Sequence, residues 1–329
     1  MATALLFLFG VNTVIAQGLT GVLPGGESIS AGSGSISQSA GHMVIDQTTD
    51  RMAIDWQRFS IGQGNSVTFN QPSSGAIGLN RVLGSEVSLI QGALNANGRV
   101  FLLNPSGVLF GPTAQVNVGG LVASTLALDN DDFLNGRFTF SGGSPGSVIN
   151  RGEINAADGG FVALIAATVE NSGSVTANGG SVLLGAGSKV TLDLGGPVKL
   201  EVEEAAIDAL IEQGGAIRAD GGLVYLTARA AGELASTVIN HTGITEARTL
   251  VTGETGKIYL MGDMDHGRIE VGGTLDASAP NGGDGGFVET SAASLQVAEG
   301  TQVTTLAPSG MTGSWLIDPL DYTIAASGG

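Results

Sequence analysis

Hydrophobic and polar residues alternate along most of this chain, in short runs broken by glycine, asparagine and aspartate. Period-two alternation marks strands that bury one face. The pattern is sharpest in three near-copies of one phrase: ADGGFVAL from Ala157, ANGGSVLL from Ala177 and ADGGLVYL from Ala219. Each opens on Asp or Asn plus Gly-Gly, a turn signal. Each then runs into a strand with Val162/Leu164, Val182/Leu184 or Val224/Leu226 on one face. A short strand ending in Ala precedes each turn, as in Ile154-Asn155-Ala156, Val175-Thr176-Ala177 and Ile217-Arg218-Ala219. Weaker copies place Val100/Leu102 upstream and Ile258/Leu260, Val288/Thr290 and Trp315/Ile317 downstream. Repetition near 20 residues indicates a stacked array whose units bury their apolar faces only against neighbours. The pattern predicts an all-β fold, a right-handed parallel β-helix, the hand following fold precedent. At about 4.8 Å per coil, on the order of ten coils make a rod about 50 Å long.

Three segments interrupt the repeat. Residues 18–69 alternate without a fixed period, and we read them as an N-terminal β cap, because an open first coil would present unpaired edges. Residues 127–140 hold a polar tip, Asp129-Asn130-Asp131-Asp132, and a strand, Arg137-Phe138-Thr139-Phe140; they predict an extra-helical hairpin projecting from the rod. Residues 201–213 place Val202, Ala206, Leu210 and Gln213 on one side and Glu203, Glu204 and Glu212 elsewhere. This spacing, with low β-propensity, predicts one short helical insertion of about three turns.

Composition narrows the partners. With 54 Gly, 9 Pro and no Gly-X-Y period, collagen is excluded. A chain 42% hydrophobic and 13% charged fits a turn-dense β protein, not a disordered one. Thirteen Lys and Arg stand against 30 Asp and Glu, a net charge of −17. Nucleic acid and anionic membrane surfaces, which need clustered cations, are therefore not expected partners. The absence of cysteine excludes disulfides, thiolate metal sites and cysteine nucleophiles. Residues 4–11 form an apolar run too short to span a bilayer. With Val14-Ile15-Ala16 after it, we read residues 1–16 as a signal peptide remnant, cleaved before Gln17.

Several catalytic patterns fail on inspection. Gly142-Gly143-Ser144-Pro145-Gly146 has the G-x-S-x-G form, but Pro145 lacks the N–H that an oxyanion hole needs. The run from Asp129 lacks the Gly and Glu of an EF-hand, with Leu134 and Phe140 at those places. Ile258 stands where a P-loop after Gly256-Lys257 needs Ser or Thr. His42, His241 and His266 share no ligand spacing. Asp158, Asp220 and Asp276 lie in or near turn signals, where Asp is expected without any glycosidase chemistry. We expect no enzyme, no metal and no cofactor.

Two passages are motif-like, not repetitive: Asn80-Arg81-Val82 and Asn104-Pro105-Ser106-Gly107, the second a tight-turn sequence. With LPGGESISAGSGSISQ, IDWQRFSIGQGNSVTFNQP, LNRVLG, NPSGVLFGPTAQVNVGGLVAST and WLIDPLDYTIA, they carry a resemblance. Over residues 18–325 the chain resembles the N-terminal secretion domain of two-partner-secretion exoproteins, the filamentous haemagglutinin family. The resemblance implies export through the periplasm and recognition by a POTRA-containing outer-membrane β-barrel transporter. It implies folding outside a Gram-negative cell as the haemagglutination activity domain of a secreted or surface adhesin. Motifs tied to secretion in such domains fall on Asn80, Arg81, Val82, Asn104, Pro105, Ser106 and Gly107. The second motif usually reads Asn-Pro-Asn-Gly, and Ser106 departs from it. Whether Asn80 and Asn104 contact the transporter or only hold the corners of the cap stays open.

The expected organisation is a signal remnant at 1–16, then cap and first coils at 17–115, then coils at 116–329 that continue into a longer exoprotein. The domain is expected to be monomeric, with any host glycan or protein receptor contacted by downstream regions. The alternative is a β-helical carbohydrate-binding or polysaccharide-degrading module.

Overall fold

The computed structural model describes residues 22–230, 238–251 and 254–320. The signal remnant at 1–16 and the last part of the WLIDPLDYTIA passage lie outside them. Each coil contributes a strand to each of three parallel faces. The first face runs through Ala93–Ala96, Ser174–Thr176, Ala216–Arg218, Ile244–Glu246, Thr274–Asp276 and Gln302–Thr304. The second runs through Ile77–Val82, Arg99–Leu103, Ser181–Ala186, Leu223–Ala228, Lys257–Met261, Phe287–Ala292 and Ser314–Pro319. Gln115–Ser124 and Glu153–Ala166 bend through the corner and serve both. The third, from Ser88–Ile90 to Ser294–Val297, is eight-stranded. This is the parallel β-helix expected from the repeat.

The inward columns fall in the expected register. Val162 pairs with Val182, Val182 with Val224, Val224 with Ile258 and Ile258 with Val288. The Leu164, Leu184, Leu226, Leu260 and Thr290 column runs beside it, and all of these residues are fully buried. The two glycines of each turn do different jobs. Gly159, Gly179 and Gly221 take φ near +70° (+74°, +63° and +71°), which an L side chain resists. A methyl group on Gly180 or Gly222 would strike the carbonyl of Gly160 or Gly180 one coil below. A buried amide ladder crosses the third face. Asn150 Nδ2 donates to Asn171 Oδ1 at 2.8 Å, and Asn171 Nδ2 to Gln213 Oε1 at 2.7 Å. His241 takes the next rung in register.

The N-terminal end is closed by reversal of strand direction. Ser28–Ala31 pairs antiparallel with Arg51–Trp56, and Gly34–Ser39 antiparallel with His42–Gln47. The parallel edges of two faces are thereby occupied.

The flank differs from expectation in two places. Residues 201–213 do not form a helix. Lys199–Glu204 and Leu210–Gln213 are strands, separated by a turn in which Asp208 takes φ +57°. The segment also carries period-two pairs, Leu200/Val202 and Ile211/Gln213, and two preformed sheets select that period over the helical one. The short helix of the fold lies at Asn130–Leu134, capped by Asp129, whose Oδ1 accepts from the N–H groups of Asp131 and Asp132. Nor does the hairpin at 127–140 project. Ala127–Leu128, Phe138–Ser141, Lys189–Asp193 and Lys199–Glu204 form a four-stranded antiparallel side sheet laid flat on the second face. Phe133, Phe138, Phe140, Val190, Leu192 and Leu200 bury themselves there against Leu79, Phe101, Val122, Ile165 and Leu183. Those apolar side chains bring the hairpin down onto the coil.

Candidate functional site

The two motif passages occupy neighbouring coils at one corner, between the second and third faces. Asn80 lies in Ile77–Val82 opposite Leu102, and Asn104 follows directly on Arg99–Leu103. Asn80 is fully buried. Its Oδ1 accepts from Trp56 Nε1 at 3.0 Å, and its Nδ2 donates to the carbonyls of Gly78 (3.1 Å) and Phe101 (3.3 Å). Trp56 meets Phe59 edge-on, so the amide fixes the largest aromatic pair of the first coils. Val82 is buried in the same core.

Arg81 points outward and joins three parts of the molecule. Its guanidinium meets Asp55 at 2.7–2.8 Å on the coil below, Ser30 Oγ at 3.0 Å in the cap and Asn130 Oδ1 at 2.6 Å on the side-sheet helix. Arg51 holds the other end of that helix through the Leu134 carbonyl at 3.0 Å.

Asn104 is also fully buried. Its Nδ2 donates to the Glu86 carbonyl and to Ser88 Oγ, both at 2.9 Å, and its Oδ1 accepts from the Ser106 N–H at 2.9 Å. The Gly107 N–H donates to the Asn104 carbonyl at 2.9 Å and closes a β-turn. Neither Pro105 nor Ser106 takes a positive φ, whereas Gly107 sits at +117°. The turn uses the backbone of Ser106 and not its side chain, so serine in place of asparagine leaves it intact. Ser144 Oγ donates to the Pro105 carbonyl and accepts from the Gly146 N–H. The rejected G-x-S-x-G passage is thus a brace on the second motif.

What these buried amides present to solvent is the intervening loop, residues 83–87. Leu83 is 64% exposed and Val87 48%, and the loop is tied down by the Asn104 bond to the Glu86 carbonyl. Spacing in the sequence did not single out this loop. Its only signal was two aliphatic residues inside a polar stretch.

Four of the remaining candidates are bonded within the fold. Asp220 is held by Arg248 Nη2 at 2.8 Å and by the Arg248 N–H at 3.0 Å. Burial works against its charge, but these bonds outweigh it and keep the carboxyl below its usual range. Asp276 Oδ1 accepts from the Ser278 N–H at 2.9 Å. His42 bonds Ser66, while His241 lies buried between the Gly272 carbonyl and Thr245 Oγ1. A carbonyl only accepts, so Nδ1 of His241 carries the proton, and burial lowers its pKa. Among the described residues, no three His, Asp or Glu side chains gather in a metal-binding group.

The polar side chains of this corner are taken up in hydrogen bonds within the fold. The chain is 36% identical over 252 residues, 73% of its length, to a heme/hemopexin-binding protein of Haemophilus influenzae strain Rd, and covers 27% of that protein. It is 47% identical over 91 residues to another heme/hemopexin-binding protein from the same species, covering 28% of this chain and 10% of that one. The chain thus spans about a quarter or less of these relatives. Among solved structures, the HMW1 secretion domain of Haemophilus influenzae aligns with a TM-score of 0.63 at 24% identity, covering 86% of this chain and 84% of that one. The filamentous hemagglutinin secretion domain aligns at 0.55 and 15% identity, covering 90% and 99%. Both share the fold. The model of the TPS secretion domain matches residues 20–276, and the chain therefore belongs to the TPS secretion domain family of two-partner-secretion exoproteins.

Proposed function

We propose that this domain directs its exoprotein to a dedicated outer-membrane transporter with periplasmic POTRA domains, and that it starts folding of the chain outside the cell. Membership of the secretion-domain family is the observation that carries this reading. Burial of both motif amides refines it. Asn80 and Asn104 spend their hydrogen-bonding groups inside the folded domain, so any direct contact with the transporter belongs to the extended chain before folding. In that form, strand addition to a transporter domain supplies affinity through backbone bonds. Once outside, the same amides fix the first corner on which later coils stack. Burial of the apolar column then opposes backsliding.

A surface or secreted adhesin remains our reading of the exoprotein. The names of the two relatives favour a second reading, in which the protein that carries this domain takes part in haem or hemopexin capture. Both place the receptor-binding part downstream of the domain.

The test is secretion of the fragment, with its signal restored, in cells with and without the partner transporter. Asn104→Ala runs in parallel, with circular dichroism on the purified protein. Transporter-dependent export supports the proposal. Export lost together with the β signal assigns Asn104 to the corner alone; export lost from a folded variant assigns it to recognition. Export that ignores the transporter overturns the secretion reading.

A further inference from the structure

Acids outnumber cations in this chain by 30 to 13, and more than half of the Lys and Arg residues lie within 4.0 Å of a carboxylate. Among the described residues, Arg51 and Arg99 do not. Each opens its strand, Arg51–Trp56 or Arg99–Leu103. Arg51 lies opposite Ile77 and Ile77 opposite Arg99, so two coil steps of about 4.8 Å each separate their backbones. Both line one cleft of about 290 Å³ where the side sheet meets the coils. Ile77, Phe138 and Leu192 give it an apolar wall, and Leu194 and Gly195 lie at its rim.

The fold leaves these two guanidiniums short of acceptors. Arg51 Nη1 donates to the Leu134 carbonyl at 3.0 Å, while its Nε is buried without a partner. A buried donor ordinarily finds one. The Arg99 side chain makes no hydrogen bond among the described residues. Its Cζ lies 5.7 Å from the centroid of the Phe161 ring, and burial lowers its pKa, as for a cation drawn from water with no carboxylate beside it. Asp193 is the carboxylate that lines the cleft. It is exposed, accepts from the Gly195 N–H at 2.8 Å and pairs with neither arginine. Sealing the edge of the sandwich needs only the arginine stems. The charged heads are left for another group to satisfy.

We propose that this cleft binds a small linear dicarboxylate, with one carboxylate on Arg51, the other on Arg99 and the methylene chain against Ile77. The guanidinium fork matches a carboxylate with two parallel hydrogen bonds. A ligand of two negative charges neutralises both cations, and its apolar middle suits a wall of Ile77, Phe138 and Leu192. Inorganic phosphate offers the same oxyanion chemistry but has no apolar body to lay on that wall. A chain of net charge −17 repels anions in general, so the attraction has to be local to this pair. The site exists only in the folded domain and is independent of how the unfolded chain is recognised during export.

The probe is the series of linear dicarboxylates from malonate to adipate, titrated into the folded domain by isothermal titration calorimetry at low ionic strength. The monoamide of the best binder and inorganic phosphate run beside it. One member of the series is expected to bind at a single site per chain. Its monoamide, and the variant Arg99→Gln, should each weaken binding by roughly tenfold or more. Arg99 holds no hydrogen bond in the fold, so this variant is expected to fold, and melting curves check it. If it does not, Asp193→Asn serves: it removes the negative charge at the rim and should tighten binding severalfold. No binding by any dicarboxylate, or binding indifferent to Arg99→Gln, overturns the proposal. A monoamide that binds as well as its parent overturns the grip by two arginines, and phosphate binding more tightly than every dicarboxylate overturns the ligand class.

Discussion

Coils in the middle of the rod, such as those carrying Val162, Val182 and Val224, hold together by placing like on like. Valine lies over valine, leucine over leucine, and one turn glycine over the next. The coils carrying Asn80 and Asn104 stack by the same backbone ladders. Their corner, however, is fixed by single-use bonds: Asn80 to Trp56, Asn104 to Glu86 and Ser88, Arg81 to cap and side sheet at once. A coil within the array inherits its shape from the coil below. The first coils have only a cap below them, and specific side chains must supply the geometry that repetition supplies elsewhere. The loss of repetition around residues 80 and 104 is the trace of that end condition.

The sharpest challenge to this contrast is Asn104→Ala. It strips three hydrogen bonds and leaves the Glu86 carbonyl and the Ser106 N–H without their partner. We expect a loss of about 3–5 kcal/mol in unfolding free energy, read by urea denaturation. A loss below about 1 kcal/mol would make this corner no different from the rest. Within the repeats, the decisive residue is the second glycine of a turn. Gly180→Ala meets backbone and should cost about 2–4 kcal/mol, whereas Gly179→Ala meets only an ordinary contact with the Gly159 nitrogen at 3.7 Å and a strained φ and should cost about 1 kcal/mol. Equal costs would show that φ, and not coil-to-coil approach, requires Gly-Gly.

A smaller effect comes from the polar rung inside the regular coils. The pKa of His241 lies below its ordinary 6.5 in the fold. As pH falls through 6.5, the unfolded chain takes up the proton first, and stability falls until the folded pKa is reached. The slope is at most about 1.4 kcal/mol per pH unit. His241→Gln, continuing the ladder from Gln213, should flatten stability between neutral pH and that lower limit. Asp220, whose pKa is depressed in the fold, contributes stability above its unfolded pKa and loses it as pH falls through the folded one. The smallest effect is expected from Ser106→Asn, within about 0.5 kcal/mol, because the turn is bonded through the backbone of residue 106.

Much of the fold was legible because the repeat states its own register. Val162/Leu164 and the pairs that follow have only one way to stack that keeps every valine inside. The motif passages were also legible, as breaks in that rule. Residues 201–213 were not, since Val202, Ala206 and Leu210 satisfy a helical period while Leu200/Val202 and Ile211/Gln213 satisfy a strand period. Nothing local chooses between them. The hairpin at 127–140 was recognised, but its direction was not: Phe138 and Phe140 ask for an apolar surface without saying where it lies. The rings of Tyr225, Tyr259 and Phe287, with centroids 5.9 and 5.6 Å apart on successive coils, escaped for the same reason, being scattered along the chain.

The sequence by itself therefore determined the coil. Alternation fixed which side chains face inward, and the Asp/Asn-Gly-Gly turns fixed where each coil bends, because both are set within a few residues by sterics and pleat. Tertiary structure alone decided what lies on the flank. It settled that two distant hairpins join into one sheet, that Arg81 bridges cap, coil and helix, and that Asn80 and Asn104 turn inward to serve one corner. Those outcomes depend on partners one or more coils away. Their pairing energy exceeds the weak local preferences that a sequence displays.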